Sequence, residues 1–257
     1  ANDSAVAIAE HLAGAEEAFV KLMNARADEL GLQNTHYVNC TGLPAPDHYT
    51  TARDVAKLSA QLDLHPLYYR YSTIWMDEIR HRGGRVTALT NTNRLVRFYP
   101  GCDGYKTGST NEARYCISAT AKKDGMRLIA VVLGTPAGQT RFDEARAMLE
   151  YGFANVKLTT PIAQGQPLDM TVLVRLGGRV SVVSGGTCSL LERRGEKNAL
   201  SLEAALVERV NAPVYAGDVL GEIRVRRDGE VVAVVPAVAG EDVQLPGMVD
   251  ALIRIRD

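Results

Sequence analysis

The sequence predicts a mixed α/β domain over residues 1–158, followed by a small all-β domain over residues 159–257. Three observations carry that division. Apolar residues recur at helical spacing through residues 1–62 and again over 140–153. Between those stretches, two apolar runs at 115–121 and 126–133 flank the turn Lys122-Lys123-Asp124-Gly125, the pattern of a β-hairpin. Beyond residue 158 the chain changes to short β-branched runs separated by glycine turns, which predicts a sandwich or barrel.

Taken in order, Ala5, Ile8, Ala9 and Leu12 place a helix over 1–13, with Asn2 or Asp3 as its cap. Gly14 interrupts. Phe19, Leu22, Met23, Ala27 and Leu30 form the stripe of a second helix that Gly31 stops, and both stripes are expected to be core. Residues 34–44 are rich in turn formers and read as a loop. A third helix begins near Thr51, where Thr51-x-x-Asp54 resembles a capping box, and Val55, Leu58 and Leu62 are its expected buried face. Pro66 opens a short fourth helix, and Asp77-Glu78 reads as a solvated helix face. Gly83-Gly84 turns the chain, and Asn91-Thr92-Asn93-Arg94 is a polar loop. The helix after the hairpin should turn Phe142, Ala145 and Leu149 inward. In the second domain, runs at 173–175, 180–183, 219–225 and 231–235 alternate with turns at Gly177-Gly178, Gly185-Gly186, Asp228-Gly229 and Pro246-Gly247. The boundary is placed at Thr159-Thr160-Pro161.

Composition narrows the function classes. A net charge of −1, with 46% hydrophobic and 23% charged residues, is that of an ordinary globular protein, and no basic run points to nucleic acid or a membrane surface. The longest aliphatic runs, such as 128–133, are too short to span a bilayer, and the polar opening Ala1-Asn2-Asp3 is not a signal peptide. Cys40, Cys102, Cys116 and Cys188 have neither C-x-x-C nor zinc spacing and read as free or buried thiols. His11, His36, His48, His65 and His81 are scattered, so neither a metal nor a cofactor is expected.

The stretch with chemical content is Gly104-Tyr105-Lys106-Thr107-Gly108-Ser109-Thr110, which leads into the hairpin and is expected to be a strand. An ammonium and hydroxyls along one groove suit an anionic substrate, and Gly108 removes the side chain where a substrate backbone would approach. Taken alone, the same residues fit a solvated, pleated surface better.

Their surroundings decide the matter. Met23-Asn24-Ala25-Arg26-Ala27 with Leu30-Gly31-Leu32 and Asn34-Thr35-His36, then Asn39-x-x-Gly42-Leu43-Pro44, His48-Tyr49-Thr50-Thr51-Ala52-x-Asp54, Asn91-Thr92-Asn93 and Asp103-Gly104-x-Lys106-Thr107-Gly108, occur in one order over most of residues 1–158. That series resembles the low-molecular-mass penicillin-binding proteins, serine-type D-Ala-D-Ala carboxypeptidases of peptidase family S11, whose third motif is Lys-Thr-Gly. The resemblance implies that residues 1–158 are the C-terminal portion of a transpeptidase-like catalytic domain, incomplete at its N-terminus. It further implies that residues 159–257 are that family's β-sandwich module. Two departures stand out. Ala1-Asn2 fall at the end of the second motif, Ser-x-Asn, and no serine anywhere in the chain has a lysine three residues on. An upstream segment carrying Ser-x-x-Lys, in the same or a separate polypeptide, is therefore an expected partner.

The resemblance implies acyl transfer: a serine attacks the carbonyl between two terminal D-alanines of a peptidoglycan stem peptide, and β-lactams trap the same serine. Lys106 would set positive potential beside the substrate carboxylate, and Thr107 with Ser109 or Thr110 would donate hydrogen bonds to it. Gly108 would admit the substrate backbone, and the N–H near Ser109 would complete an oxyanion hole. Asn2 would bond the substrate amide, the alternative being a helix cap. Arg141 would approach the carboxylate from the side, the alternative being a surface pair with Glu144 or Glu150. The implied location is extracytoplasmic. Competing functions are a non-catalytic stem-peptide-binding remnant and a β-lactamase, the latter disfavoured by the trailing β domain and the lack of a deacylation glutamate motif.

Overall fold

A computed structural model describes residues 2–245 and 247. Two compact units emerge, residues 1–155 and 156–257.

In the first unit, α1 (Asn2–Ala13) and α2 (Glu16–Glu29) pack together, and Gly31, at φ +64, lets the chain leave α2. Only Ala9 of the α1 stripe is buried. Ile8 and Leu12 are 58% and 64% exposed, and Leu22 of α2 is exposed as well, so the expectation that both stripes are core is corrected. Nothing among the described residues covers that face. α3 (Ala52–Leu62) starts on Thr51, whose hydroxyl accepts the Asp54 N–H at 3.2 Å. The carboxylate of Asp54 does not return to Thr51. It takes the Asn34 N–H at 2.9 Å and the Thr35 hydroxyl at 3.0 Å, pinning the preceding loop to the helix. The buried positions of α3 are thus Asp54 and Ser59, and not the expected Leu58, which is exposed.

α4 (Leu67–Ser72) follows Pro66. Asp77 and Glu78 then lie on a strand and not a helix face: β1 (Met76–Arg80) pairs antiparallel with β2 (Val86–Thr90). Gly83 and Gly84, at φ +93 and +85, close this hairpin in a conformation few other residues adopt, and that turn overrides the helical reading. A short turn, α5 (Leu95–Phe98), leads to β3 (Cys102–Thr110), β4 (Arg114–Lys123) and β5 (Met126–Thr135), an antiparallel sheet in the order β3-β4-β5. Asp124 and Gly125, both at positive φ, make the two-residue turn between β4 and β5. α6 (Thr140–Asn155) lays Phe142, Ala145 and Leu149 on Ile117, Ala119, Ala130 and Val132. Ser118 alternates with those residues and so faces the other way, where its hydroxyl meets that of Ser59 on α3 at 2.7 Å in a buried contact.

The second unit begins at β6 (Val156–Ile162), so Thr159-Thr160-Pro161 lies inside a strand. Pro161 is accommodated because the pairing of β6 with β9 (Cys188–Arg193) is irregular between Thr159 and Ile162, where a missing N–H leaves no gap in the ladder. The larger sheet has the order β10-β12-β13-β8-β7-β11. Its strands are β7 (Pro167–Arg175), β8 (Gly178–Ser184), β10 (Leu200–Leu206), β11 (Arg209–Asn211), β12 (Val219–Arg227) and β13 (Glu230–Ala239). Alternate residues Val172, Val174, Val180, Val182, Ile223, Val225, Val235 and Ala237 build one aliphatic core, to which β6 and β9 add Ile162 and Cys188. The expected turn at Pro246-Gly247 falls partly outside the described residues.

Candidate active site

β3 is an edge strand, and its start is fastened by side chains. Ser72 Oγ donates to the Asp103 carbonyl at 2.5 Å, Asn93 Nδ2 to that of Gly104 at 3.0 Å, and Tyr68 Oη to that of Tyr105 at 2.9 Å. Asn93 is buried. Its Oδ1 accepts the Leu95 N–H, while Asn91 Oδ1 accepts the N–H of Asn93 and Asn91 Nδ2 reaches the carbonyls of Ser72 and Ile74. The Asn91-Thr92-Asn93 loop is therefore a brace between α4 and β3. Thr92 joins it through a 2.7 Å hydroxyl contact to Thr107.

Ionic fastening lies beside it. Arg127 on β5 forks onto Asp103 at 2.7 and 2.9 Å, places Nε 2.8 Å from Asp63, and stacks 4.4 Å over the ring of Tyr69. The hydrogen bonds to Asp103 hold the Arg127 guanidinium more firmly charged than usual. Tyr69 donates a short hydrogen bond to Asp63 and lies 3.1 Å from the hydroxyl of Tyr105; burial, then Asp63, push its phenol well up. The neighbouring Cys102 thiol is pushed up to about 11 by burial and is unreactive at neutral pH.

Downstream the edge is open. Tyr105 turns its carbonyl outward to Tyr68, and backbone groups on one side of a strand recur at every second residue. Thr107 and Ser109 therefore turn theirs to the same free edge. Lys106 is exposed and directly opposite Ser118, so it shares the α3-facing side of the sheet; its ammonium donates to the Thr107 carbonyl. Thr107 is buried, Gly108 and Ser109 are exposed, and Thr110 is half-buried. Gly108 has nothing within 4 Å of where a Cβ would lie, so the space beside it is open to a ligand.

Arg141, at the start of α6, approaches the strand from behind. Nη1 donates to the carbonyls of Gly108 at 3.0 Å and Cys116 at 3.3 Å, the guanidinium lies against Tyr115 and Phe142, and Nε is buried without an acceptor. It pairs with neither Glu144 nor Glu150, and burial lowers its pKa. Lys106, Thr107, Gly108, Ser109, Thr110 and Arg141 thus come together. Asn2 lies in the first turn of α1, and no hydrogen bond joins it to Lys106 among the described residues.

Sequence reasoning missed the fastening residues Tyr68, Ser72 and Arg127. None has a local pattern, since each acts across more than twenty residues. It also missed a cavity of about 480 Å³ past the end of the Lys-Thr-Gly strand, lined by Ser109, Thr110, Asn111, Arg114, Tyr115 and Pro136.

Comparison with known proteins identifies the family. Residues 1–137 match the family described as D-alanyl-D-alanine carboxypeptidase, peptidase S11, and residues 156–245 match the C-terminal domain of penicillin-binding protein 5. D-alanyl-D-alanine carboxypeptidase DacF of Bacillus subtilis is 38% identical over 256 residues, covering 98% of this chain and 66% of that protein. DacC of Escherichia coli is 34% identical over 250 residues, covering 96% and 61%. The chain thus spans less than two thirds of the length of these relatives. Among solved structures, penicillin binding protein 5 from Haemophilus influenzae superposes with a TM-score of 0.67 at 28% identity, covering 95% of this chain and 71% of that one. A peptidoglycan synthesis regulatory factor (PBP3) from Streptococcus pneumoniae does so with a TM-score of 0.75 at 26% identity, covering 95% and 74%. The fold, the order of its motifs and these matches together make the chain a member of the D-alanyl-D-alanine carboxypeptidase family, peptidase S11.

Proposed function

We propose that this chain is the substrate-holding part of a D-alanyl-D-alanine carboxypeptidase that removes the terminal D-alanine from peptidoglycan stem peptides. The observation that carries the reading is the edge of β3, fastened by three side chains up to Tyr105, beyond which the Thr107 carbonyl on that edge accepts only from the Lys106 ammonium among the described residues. A peptide adding to that edge would set its carboxylate against Lys106 and Thr107, with Gly108 admitting its backbone and Ser109 or Thr110 donating hydroxyl hydrogen bonds. Arg141 would contribute positive potential through the Gly108 backbone that it bonds. Asn2 would bond the substrate amide. The outward N–H of Ser109 would help hold the oxyanion formed when the serine Oγ adds to the scissile carbonyl. The peptide bond then breaks, the D-alanine nitrogen takes up a proton and leaves, and water hydrolyses the acyl ester.

The serine and its lysine would lie on a segment preceding residue 1, in the same or a separate polypeptide. The lack of any Ser-x-x-Lys in the chain supports this. So does an uncovered apolar groove of about 330 Å³ lined by Phe19, Leu22, Met23, Ala27, Leu32 and Leu58. β-Lactams would occupy the same site, and the location would be extracytoplasmic. Among the described residues, no helix is long and apolar enough to cross a membrane.

Labelling with a fluorescent penicillin tests this. The chain assembled with its Ser-x-x-Lys segment should label covalently, and Lys106→Ala should slow labelling by about 10²–10³-fold, as for loss of one group that stabilises developing charge. Absence of any covalent label on the assembled protein would favour the alternative, a stem-peptide-binding remnant without catalysis.

A further inference from the structure

The hairpin of β1 and β2 contributes nothing to the residues gathered at the Lys-Thr-Gly strand, yet its tip is strongly cationic. Arg80, Arg82 and Arg85 fall within six residues, with His81 among them and no acid. Elsewhere in the chain a comparable run is neutralised: Arg224 and Arg226 on β12 are met by Glu203 and Glu222. At the hairpin only Glu78 answers, and it pairs with Arg80. Among the described residues, the guanidinium of Arg82 has no hydrogen bond or ion pair, and that of Arg85 meets only the ring of His81, at 3.5 Å.

The turn adds backbone donors to the arginines. The His81 N–H is spent on the Arg85 carbonyl at 2.8 Å and the Gly84 N–H on the His81 carbonyl at 3.2 Å. The N–H groups of Arg82 and Gly83 meet no acceptor among the described residues. Every residue from Met76 to Thr90 except His81 is exposed, so both faces of the ribbon are bare and the arginine stems cover no core. The base, by contrast, is held. Asn91 donates its N–H to the Trp75 carbonyl at 2.8 Å and its Nδ2 to the Ile74 carbonyl at 3.1 Å, and Trp75 packs edge-on to Phe98 at 5.7 Å. The hairpin therefore presents its charge from a fixed root.

Free turn N–H groups beside arginine forks form a donor set that holds phosphate oxygens. A bilayer of lipid headgroups fits the tip less well than a polymer. The register puts Ile79 and Leu89 on one face and Met76 and Val86 on the other, and residues 81–85 include no apolar side chain. No single apolar side is left to enter a membrane interface.

We propose that the tip of the β1–β2 hairpin is a docking surface for a linear, phosphate-bearing polymer, gripped by Arg82, Arg85 and the turn N–H groups, with Arg80 adding charge. The surface acts whether or not the chain carries out the carboxypeptidase reaction.

The test uses the chain assembled with its Ser-x-x-Lys segment and three probes: linear inorganic polyphosphate, poly-L-glutamate of the same total charge, and vesicles of anionic phospholipid. Polyphosphate should bind most tightly, and its log affinity should fall with log salt at a slope of about −2, as for three cations on a flexible polyanion. Arg82→Gln should weaken that binding about tenfold, the scale of one hydrogen bond to a charged group. It should also make the salt slope shallower by about 0.7. Arg97→Gln removes the same charge from an exposed arginine on α5, and it should leave binding within about twofold, since separated surface charges are screened. Neither arginine belongs to the candidate site, so unchanged labelling by fluorescent penicillin reports that each variant is folded. Absence of polyphosphate binding overturns the proposal, as does equal affinity for poly-L-glutamate or an equal loss in the two variants. Binding to vesicles alone overturns it in favour of a membrane. None of these outcomes touches the carboxypeptidase reading.

Discussion

The two units bury different kinds of atom. In residues 156–257 the interior is aliphatic, built from Val172, Val174, Val180, Val182, Leu220, Ile223, Val225 and their neighbours, with Ser184 and Glu192 as its buried polar side chains. Residues 1–155 instead bury Asp54, Ser59, Asn93, Thr107, Ser118, Thr120 and Thr135 while leaving Ile8, Leu12, Leu22, Leu64 and Leu67 exposed. Burying a polar group costs stability unless every hydrogen bond is made. A fold keeps many of them where direction matters more than cohesion. Here Asn93 and Thr107 tie β3 to the 91–93 loop, Asp54 fastens the loop at 34–35 to α3, Ser59 meets Ser118 between α3 and β4, and Thr120 and Thr135 bond backbone carbonyls of β5, β4 and the loop after β5. The sandwich draws its cohesion instead from aliphatic packing on one sheet face.

Substitutions can break or sharpen that contrast. The largest effect is expected from Ile223→Ala. Ile223 is fully buried, and removing its branches should leave a cavity costing about 3 kcal/mol. Thermal unfolding followed by hydrogen exchange should show the loss confined to residues 156–257, with penicillin labelling by the assembled protein unchanged. Loss of labelling would mean that the two cores are not independent. Arg127→Met should cost somewhat less, about 2–3 kcal/mol, because it strips Asp103 and Asp63 of their shared partner in a partly buried place. Its effect should fall on residues 1–155 and, unlike that of Ile223→Ala, should also slow labelling, since Asp103 opens the strand that carries Lys106. Normal labelling in Arg127→Met would show that the ionic fastening serves cohesion alone, and the contrast between the units would lose its point.

How much of this was legible in the sequence follows the same divide. Strands of the sandwich announced themselves at 173–175, 180–183, 219–225 and 231–235, because β-branched runs broken by glycine turns are local signals. The hairpin at Asp124-Gly125 and the helix bearing Phe142, Ala145 and Leu149 were legible for the same reason. Leu58 misled, because its spacing is that of a core residue while its side chain lines the exposed apolar groove beside α2. Asp77 and Glu78 misled because charged residues beside an exposed hairpin carry no periodicity of their own. At the site, Lys106-Thr107-Gly108 stood out only through the ordered segments around it, since three adjacent letters alone fit a solvated strand as well. Tyr68, Ser72 and Arg127 could not, for their roles exist only once α4 and β5 are laid beside β3. The role of Arg141 was half legible: its place at the head of α6 could be read, but its bonds to the backbone of Gly108 and Cys116 could not.

The smallest effect tests the one charged side chain that the sandwich buries among the described residues. Glu192 accepts a short hydrogen bond from Thr159 and lies 3.4 Å from Lys157. The Thr159 hydroxyl first, and Lys157 with it, hold its carboxyl below the ordinary carboxylate range. A carboxylate whose folded pKa is depressed contributes stability above its unfolded pKa and loses it as pH falls through the folded value. Glu241, held down by its bonds to the Ser181 hydroxyl and N–H, acts in the same direction. The unfolding midpoint of residues 156–257 should therefore fall as the solution is acidified through and below the carboxylate range. Glu192→Gln should flatten that fall while lowering the plateau at neutral pH, because an amide can still accept from Thr159 but no longer attracts Lys157. An unchanged acid limb in Glu192→Gln would mean that the contact joining β6 to β9 is held by its hydroxyl alone, and that this unit depends on ionisation nowhere in its interior.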